Sequence, residues 1–211
     1  MDRAYETVRR RILDNEYQPS QQVLEQDLAE SLGMSRTPVR EALVRLQNEG
    51  FIQLVPRHGM RVVPLSIADL RDMYEALTAL EVAAVERLVA TAPDGQVLAP
   101  LDQAVADMDA ALTAEDLDAW VQADDQFHRA LIELSGNARL ALMAFSVWEH
   151  AYRARRMTVR FRSSLQQSSV EHRAIVDAIR RGDAGAACTE HRNHRTRTSR
   201  EIVALLERTR L

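Results

Sequence analysis

Asp124 and His128 lie one helical turn apart in a stretch where Leu117, Trp120, Val121, Phe127 and Leu131 recur at helical spacing. That stripe marks the inward face of a helix. A carboxylate and an imidazole on such a face need partners, because burying them unpaired is costly. Two more imidazoles share the pattern. His172 aligns with Ile175, Val176 and Ile179, and His194 sits one turn before Thr198 on a side continued by Ile202 and Leu205. Asp124, His128, His172 and His194 can therefore converge from three helices. One carboxylate and three imidazoles suit Zn²⁺, Ni²⁺ or Mn²⁺, Zn²⁺ foremost, with open positions for water or a ligand. His191, three residues before His194, is a rival near the same face, whereas His58 and His150 stand apart. A single inward His is usually a satisfied core residue; the combination points to a metal.

A second group has the chemistry of nucleic-acid contact. Arg36 and Arg40 share a helix face, away from Val39 and Leu43. Arginine can bond guanine O6 and N7 in bidentate fashion. Ser35 and Thr37 stand at the helix N-terminus, where hydroxyls and free N–H groups suit phosphate. Arg45 continues the exposed side, and Arg57, His58, Gly59 and Arg61 would form a turn with its flanking strand.

The elements that must position these groups are legible. Residues 3–15 read as a helix with Ala4, Val8, Ile12 and Tyr5 inward. Residues 23–32 form a short helix with leucines four apart, stopped by Gly33. Ser35 is the expected N-cap of a third helix that ends near Gly50, with Pro38 in its first turn. Phe51–Val55 and Met60–Val63 read as strands around the turn Pro56-Arg57-His58-Gly59. Helix, short helix, turn, helix and hairpin make a winged helix-turn-helix, whose third helix enters the major groove. After the linker Pro64-Leu65-Ser66, six helices are expected near 66–91, 97–113, 116–135, 138–161, 164–181 and 184–208, an antiparallel bundle. The expected domains are 1–64 for DNA binding and 65–211 for an all-helical module.

The overall charge conceals this division. The 211 residues hold 27 basic groups, every one an Arg, and 31 acids, for a net −4. Such a balance excludes a broad basic surface. Residues 1–64 are neutral, 65–150 carry −12 and 151–211 carry +8. The last two stretches should pack through complementary faces. One Cys excludes a disulfide framework, and Cys188 is expected reduced and buried. The N-terminal stretch is charged from its second residue, and no apolar run approaches the roughly 20 residues of a membrane span. A cytoplasmic protein is the expectation.

The run Leu28-Ala29 … Leu32-Gly33-Met34-Ser35-Arg36-Thr37-Pro38-Val39-Arg40-Glu41-Ala42-Leu43 … Leu46 … Gly50-Phe51-Ile52 … Gly59 … Val62 resembles the GntR family of bacterial transcription regulators. The resemblance implies a homodimer on an imperfect palindrome of double-stranded DNA, usually a repressor. It implies Arg36 and Arg40 as base readers, with Ser35, Thr37, His58 and Gly59 as further contacts. Gln26 stands where several members carry a DNA-contacting Arg. Leu80-Glu81, Asp124 through His128, Ser135-Gly136-Asn137, Glu171-His172, Ala178-Ile179, Gly182-Asp183 and His194 resemble the FCD ligand-binding domain of the FadR branch, in its shorter, six-helix form. That resemblance assigns the metal to Asp124, His128, His172 and His194, favouring His194 over His191. Many members place an effector-gripping Arg where this chain has Leu77. Asn137, Arg153, Arg155 and Arg156 are the candidates for effector contact, and packing against the acidic stretch is the competing role for the three arginines.

The function expected is a regulator whose operator binding responds to a small organic effector, a carboxylate among the candidates, at the metal site. A direct metal-ion sensor is the alternative. A metal-dependent hydrolase would need a general base beside the cluster, and the sequence offers none.

Overall fold

The computed structural model describes residues 2–209, of Thr209 the backbone alone. It separates into two compact units, one up to Ser66 and one from Ile67.

The first unit is built from α1 (Asp2–Leu13), β1 (Gln22–Val23), α2 (Glu25–Leu32), α3 (Arg36–Asn48), β2 (Ile52–Val55) and β3 (Gly59–Val62). Its core interlocks the inward faces predicted from spacing: Ala4, Tyr5, Val8 and Ile12 meet Leu28, Leu32, Val39, Leu43 and Leu46, closed by Ile52, Met60 and Val62. Gly33 ends α2 in the left-handed conformation at φ 63°, its N–H reaching back to Ala29 and Glu30 carbonyls. Ser35 is the extended residue before α3, and its hydroxyl makes no capping bond.

The short helix expected over 23–32 starts later, at Glu25. Gln22 and Val23 instead pair antiparallel with Arg61 and Met60, giving a three-stranded sheet in the order β1-β3-β2. Here the ladder to β3 outweighs local helix preference. It also fixes the wing: β2 and β3 pair from Ile52–Val62 to Val55–Gly59, and the connecting turn puts Arg57 at φ 66° and Gly59 at φ 76°.

The second unit is all helical: α4 (Ile67–Ala90), α5 (Gly95–Thr113), α6 (Leu117–Leu134), α7 (Ala138–Thr158), a 3₁₀ turn at Val159–Phe161, α8 (Leu165–Arg180) and α9 (Ala184–Thr209). Asp94, Asp116 and Asn137 cap α5, α6 and α7 by accepting two backbone N–H bonds each. Trp120 and Trp148 are both fully buried. The charge complementarity is realised as cross-helix pairs: Arg155 with Asp124 and Asp125, Arg156 with Asp118, Arg173 with Asp109, Arg180 with Asp102 and Arg195 with Glu81. Cys188 is free, as expected, but partly exposed rather than buried. No helix among the described residues is long and apolar enough to cross a membrane.

Gly59 couples the wing to the rest of the first unit. A Cβ there would collide with the Val23 carbonyl and stand 2.7 Å from Glu25 N and 2.8 Å from Leu24 Cα. Gly59→Ala should therefore destabilise the protein by more than the ~1–2 kcal/mol of left-handed strain alone. A chemical-denaturation midpoint unchanged in the variant would contradict this.

Candidate metal centre and nucleic-acid interface

Helix α6 brings Asp124 and His128 to its inward face, α8 brings His172, and α9 brings His194. All four are almost fully buried. Their donor atoms lie within 4.8 Å of one another. His172 Nε2 is 3.0 Å from His194 Nε2, and the Asp124 Oδ1 atom is 3.8 Å from His128 Nε2 and 3.9 Å from His172 Nε2. Two donors bound to one ion at about 2.1 Å stand roughly 3–4 Å apart, so the separations fit a shared cation. Both ring nitrogens of His128 are buried without a hydrogen-bond partner, which a metal ligand would be before binding. The donor set is hard oxygen plus borderline imidazole nitrogen, suited to a divalent transition metal.

The rings are prepared for that role electrostatically. Burial and neighbouring cationic groups hold His128, His172 and His194 well below the ordinary imidazole range. They are neutral near pH 7, with lone pairs available. Burial raises the Asp124 carboxyl, an effect that Arg155, Arg162 and Arg195 partly offset.

His191 is placed differently. Its Nε2 bonds Glu81 at 2.7 Å, and Glu81 is also gripped by Arg195 at both oxygens. Glu81, His128 and His191 form a second group close enough to hold an ion. Both oxygens of Glu81 are already bonded by Arg195 and one also by His191, whereas Asp124 has Arg155 at 3.4 Å from Oδ2 alone and Oδ1 facing the imidazoles, so the first group is the better centre. Glu81 is a residue whose part sequence reasoning did not see. Its signal is the four-residue spacing of His191 and Arg195, which turns both toward one acid on α4.

The proposed effector residues fall into distinct settings. Asn137 caps α7, and Arg156 pairs with Asp118 at 2.6 Å near the surface. Arg153 is buried, and burial lowers its guanidinium to about 10. Arg155 reaches the metal cluster: its Nε is 3.4 Å from Asp124 Oδ2 and its Nη2 bonds Asp125 at 2.6 Å. Its Nη1 is buried with no hydrogen-bond partner. Leu77 is fully buried core.

In the first unit, Ser35, Arg36, Thr37 and Arg40 are exposed along the start of α3. Arg36, Arg40, Arg57 and Gly59 line one concavity of about 440 Å³ between α2, α3 and the wing. Arg36 is steadied by Glu25 at 3.4 Å while its side chain stays 69% exposed. His58 is exposed at the wing, where its carbonyl accepts from Gln22. Arg45 does not join this concavity. It lies 3.6 Å above the Tyr5 ring and bonds Glu49 at 3.2 Å, and the Tyr5 hydroxyl also donates to Glu49. Gln26 on α2 bonds Glu30.

The buried imidazoles make stability depend on pH. Their folded-state pKa values lie below the unfolded value of about 6.5, so the unfolded chain takes up protons first as pH falls. The stabilisation is complete above about pH 6.5 and is lost below it. Asp124, raised in the folded state, acts in the opposite sense. The melting temperature of metal-free protein should fall between about pH 7 and pH 5, and a flat or rising profile would contradict the neutral, buried state of the three rings.

Comparison with known proteins matches these two units. Residues 1–62 match the model of bacterial regulatory proteins of the gntR family, and residues 72–197 match the FCD domain. An uncharacterized HTH-type transcriptional regulator of Streptomyces ambofaciens, in an unstable DNA locus, is 33% identical over 206 residues, covering 90% of this chain and 79% of that protein. One of Agrobacterium vitis, in the TAR-I ttuE-ttuC' intergenic region, is 43% identical over 131 residues, 61% of this chain and 77% of that protein. The crystal structure of a GntR regulator from Rhodococcus sp. RHA1 superposes with a TM-score of 0.81 at 25% identity, covering 96% of this chain and 97% of its own. E. coli McbR/YncC shares the fold, with a TM-score of 0.82 at 20% identity, covering 99% of this chain and 97% of its own. These families and relatives are transcription regulators rather than enzymes. The chain belongs to the GntR family, carries an FCD domain, and is a DNA-binding transcription regulator.

Proposed function

We propose that the protein is a repressor whose operator binding is set by a small organic effector at a metal held in the helical unit. The observation that carries this reading is the buried Asp124/His128/His172/His194 cluster in a chain that also has a winged helix. Asp124, His128, His172 and His194 would hold the ion, with Zn²⁺ the first candidate. Once bound, it supplies Lewis acidity and open positions for an effector's oxygens. The chain's own residues keep the imidazoles neutral and tie three helices to one point. Arg155, beside Asp124 with Nε and Nη1 both lacking a hydrogen-bond partner, favours an anionic effector and takes the part an Arg plays elsewhere at position 77. A relative of E. coli, 27% identical over 202 residues, is the HTH-type transcriptional repressor RspR, which supports repression.

On DNA, α3 lies in the major groove with Arg36 and Arg40 toward base edges and Ser35 and Thr37 at phosphate. Arg57, His58 and Gly59 place the wing against the backbone or minor groove. Two copies reading a palindrome raise affinity without a large basic surface, and such a regulator acts in the cytoplasm. An effector that favours one packing of the helical unit would change operator affinity by a coupling of about 1–3 kcal/mol.

Fluorescence anisotropy with the gene's own upstream DNA tests both halves. Arg36→Ala and Arg40→Ala should each weaken specific binding by about 1–3 kcal/mol per half-site. Arg45→Ala, held on Tyr5, should change it by less than about 0.5 kcal/mol. Metal-stripped protein should lose its response to organic acids. Upstream DNA bound no tighter than random duplex, under any ligand condition, would overturn the reading. A response to metal alone, with no effect of any acid, would make the ion itself the signal.

A further inference from the structure

Glu171 precedes a proposed metal ligand in sequence, yet its carboxylate is turned away from the cluster's donor atoms and serves another ring. The His194 Nδ1 atom lies 2.7 Å from Glu171 Oε2, while His194 Nε2 faces His172. Arg197, one turn along α9 from His194, grips the same carboxylate at both oxygens, Nε to Oε1 at 2.8 Å and Nη2 to Oε2 at 2.6 Å. Gln167 donates to Oε1 at 2.8 Å. Arg197 is itself fixed by the hydroxyls of Ser164 at 2.6 Å and Ser168 at 2.9 Å. Every strong acceptor site of Glu171 is therefore occupied, so it is not a fifth ligand. It can accept a hydrogen bond from His194 Nδ1–H and do nothing to the ion directly.

The other rings are held less firmly. His172 Nδ1 has only the Met108 sulfur at 3.3 Å, a weak acceptor, and His128 Nδ1 stands 3.5 Å from Glu81, beyond a good hydrogen bond. Of the three imidazoles, His194 is the one whose orientation and tautomer the protein dictates with a charged, clamped acceptor. A ligating imidazole that donates its second nitrogen to a carboxylate is fixed in one tautomer and made more basic toward the metal. We infer that Glu171, clamped by Arg197, is a positioning residue that holds His194 as its Nδ1–H tautomer with Nε2 presented to the metal. This rests on the metal reading above and adds to it a residue that never touches the ion.

The competing role is a plain tether of α8 to α9. The Glu171→Gln variant keeps the shape of the side chain, and Glu201→Gln is its control. Glu201 belongs to the same part-buried network, bonding Arg162 and Ser164 and lying 3.9 Å from Arg197 Nη1, but none of these bonds or pairs reaches His194. Two readouts are taken on the full-length protein: Zn²⁺ affinity by chelator competition, and the His194 tautomer by ¹⁵N NMR of metal-free protein. Glu171→Gln should lower Zn²⁺ affinity roughly 10–100-fold and turn a single Nδ1–H tautomer into a mixture, with Glu201→Gln close to wild type in both. Arg197→Ala should move both in the same direction as Glu171→Gln. Folded Glu171→Gln protein with wild-type affinity and tautomer would overturn the inference while leaving the metal site standing. Equal losses in Glu171→Gln and Glu201→Gln would reduce the pair to a tether. Wild-type protein that takes up no Zn²⁺ would overturn the metal reading, and the role given to Glu171 with it.

Discussion

Three imidazoles and a carboxylate pressed together inside a helical unit are an expensive arrangement unless something binds them in common. The rest of the second unit is organised around that constraint. Burial keeps His128, His172 and His194 neutral, which removes their mutual repulsion and leaves their lone pairs directed inward. The charge that remains is answered one layer out. Arg155 stands beside Asp124, Arg195 beside Glu81 and Arg197 beside Glu171. Helices α6, α8 and α9 thus meet at a point where geometry is fixed by polar groups rather than by apolar packing alone. Such a point is a natural place for a ligand to bias the packing of helices, because polar contacts specify one arrangement where leucines would tolerate several.

The same logic explains an unusual charge distribution. The acidic middle of the chain and its arginine-rich end are not separate surfaces for separate partners. They are the two sides of one bundle, joined by pairs such as Arg180–Asp102 and Arg156–Asp118. Exposed pairs of this kind add little stability individually, but they leave few arginines over for a diffuse attraction to DNA. In the first unit Arg36, Arg40 and Arg57 gather around one concavity, and under the proposed function recognition falls to it. Under that proposal a dimeric reader would gain specificity from placement and from symmetry, not from bulk charge.

Much of this is written locally in the sequence. The turn Leu32-Gly33 with the apolar positions of α2 and α3 defines the helix-turn-helix, and Pro93-Asp94-Gly95, Ser135-Gly136-Asn137 and Gly182-Asp183 mark three of the breaks between helices of the second unit. The inward faces of Asp124, His128, His172 and His194 follow from helical spacing. What spacing does not convey is pairing between distant elements. Strand β1 is two residues long and exists because β3 offers it a ladder. Arg45 turns aside because Tyr5, forty residues earlier by fold rather than by pattern, presents a ring beneath it. Glu81 and Glu171 stand in stretches that carry the family resemblance, but what each acid bonds is settled only when Arg195 and Arg197 are brought alongside. Periodicity assigns a residue to a face; only the fold decides what that face meets.

The proposed ion would join α6, α8 and α9 through Asp124, His128, His172 and His194. Anomalous diffraction from crystals of Zn²⁺-loaded protein, recorded on both sides of the zinc edge, tests it most directly. One strong peak is expected within bonding distance of Asp124 Oδ1 and the Nε2 atoms of the three histidines. A peak between Glu81 and His191 instead, or no peak in the bundle interior, would contradict it.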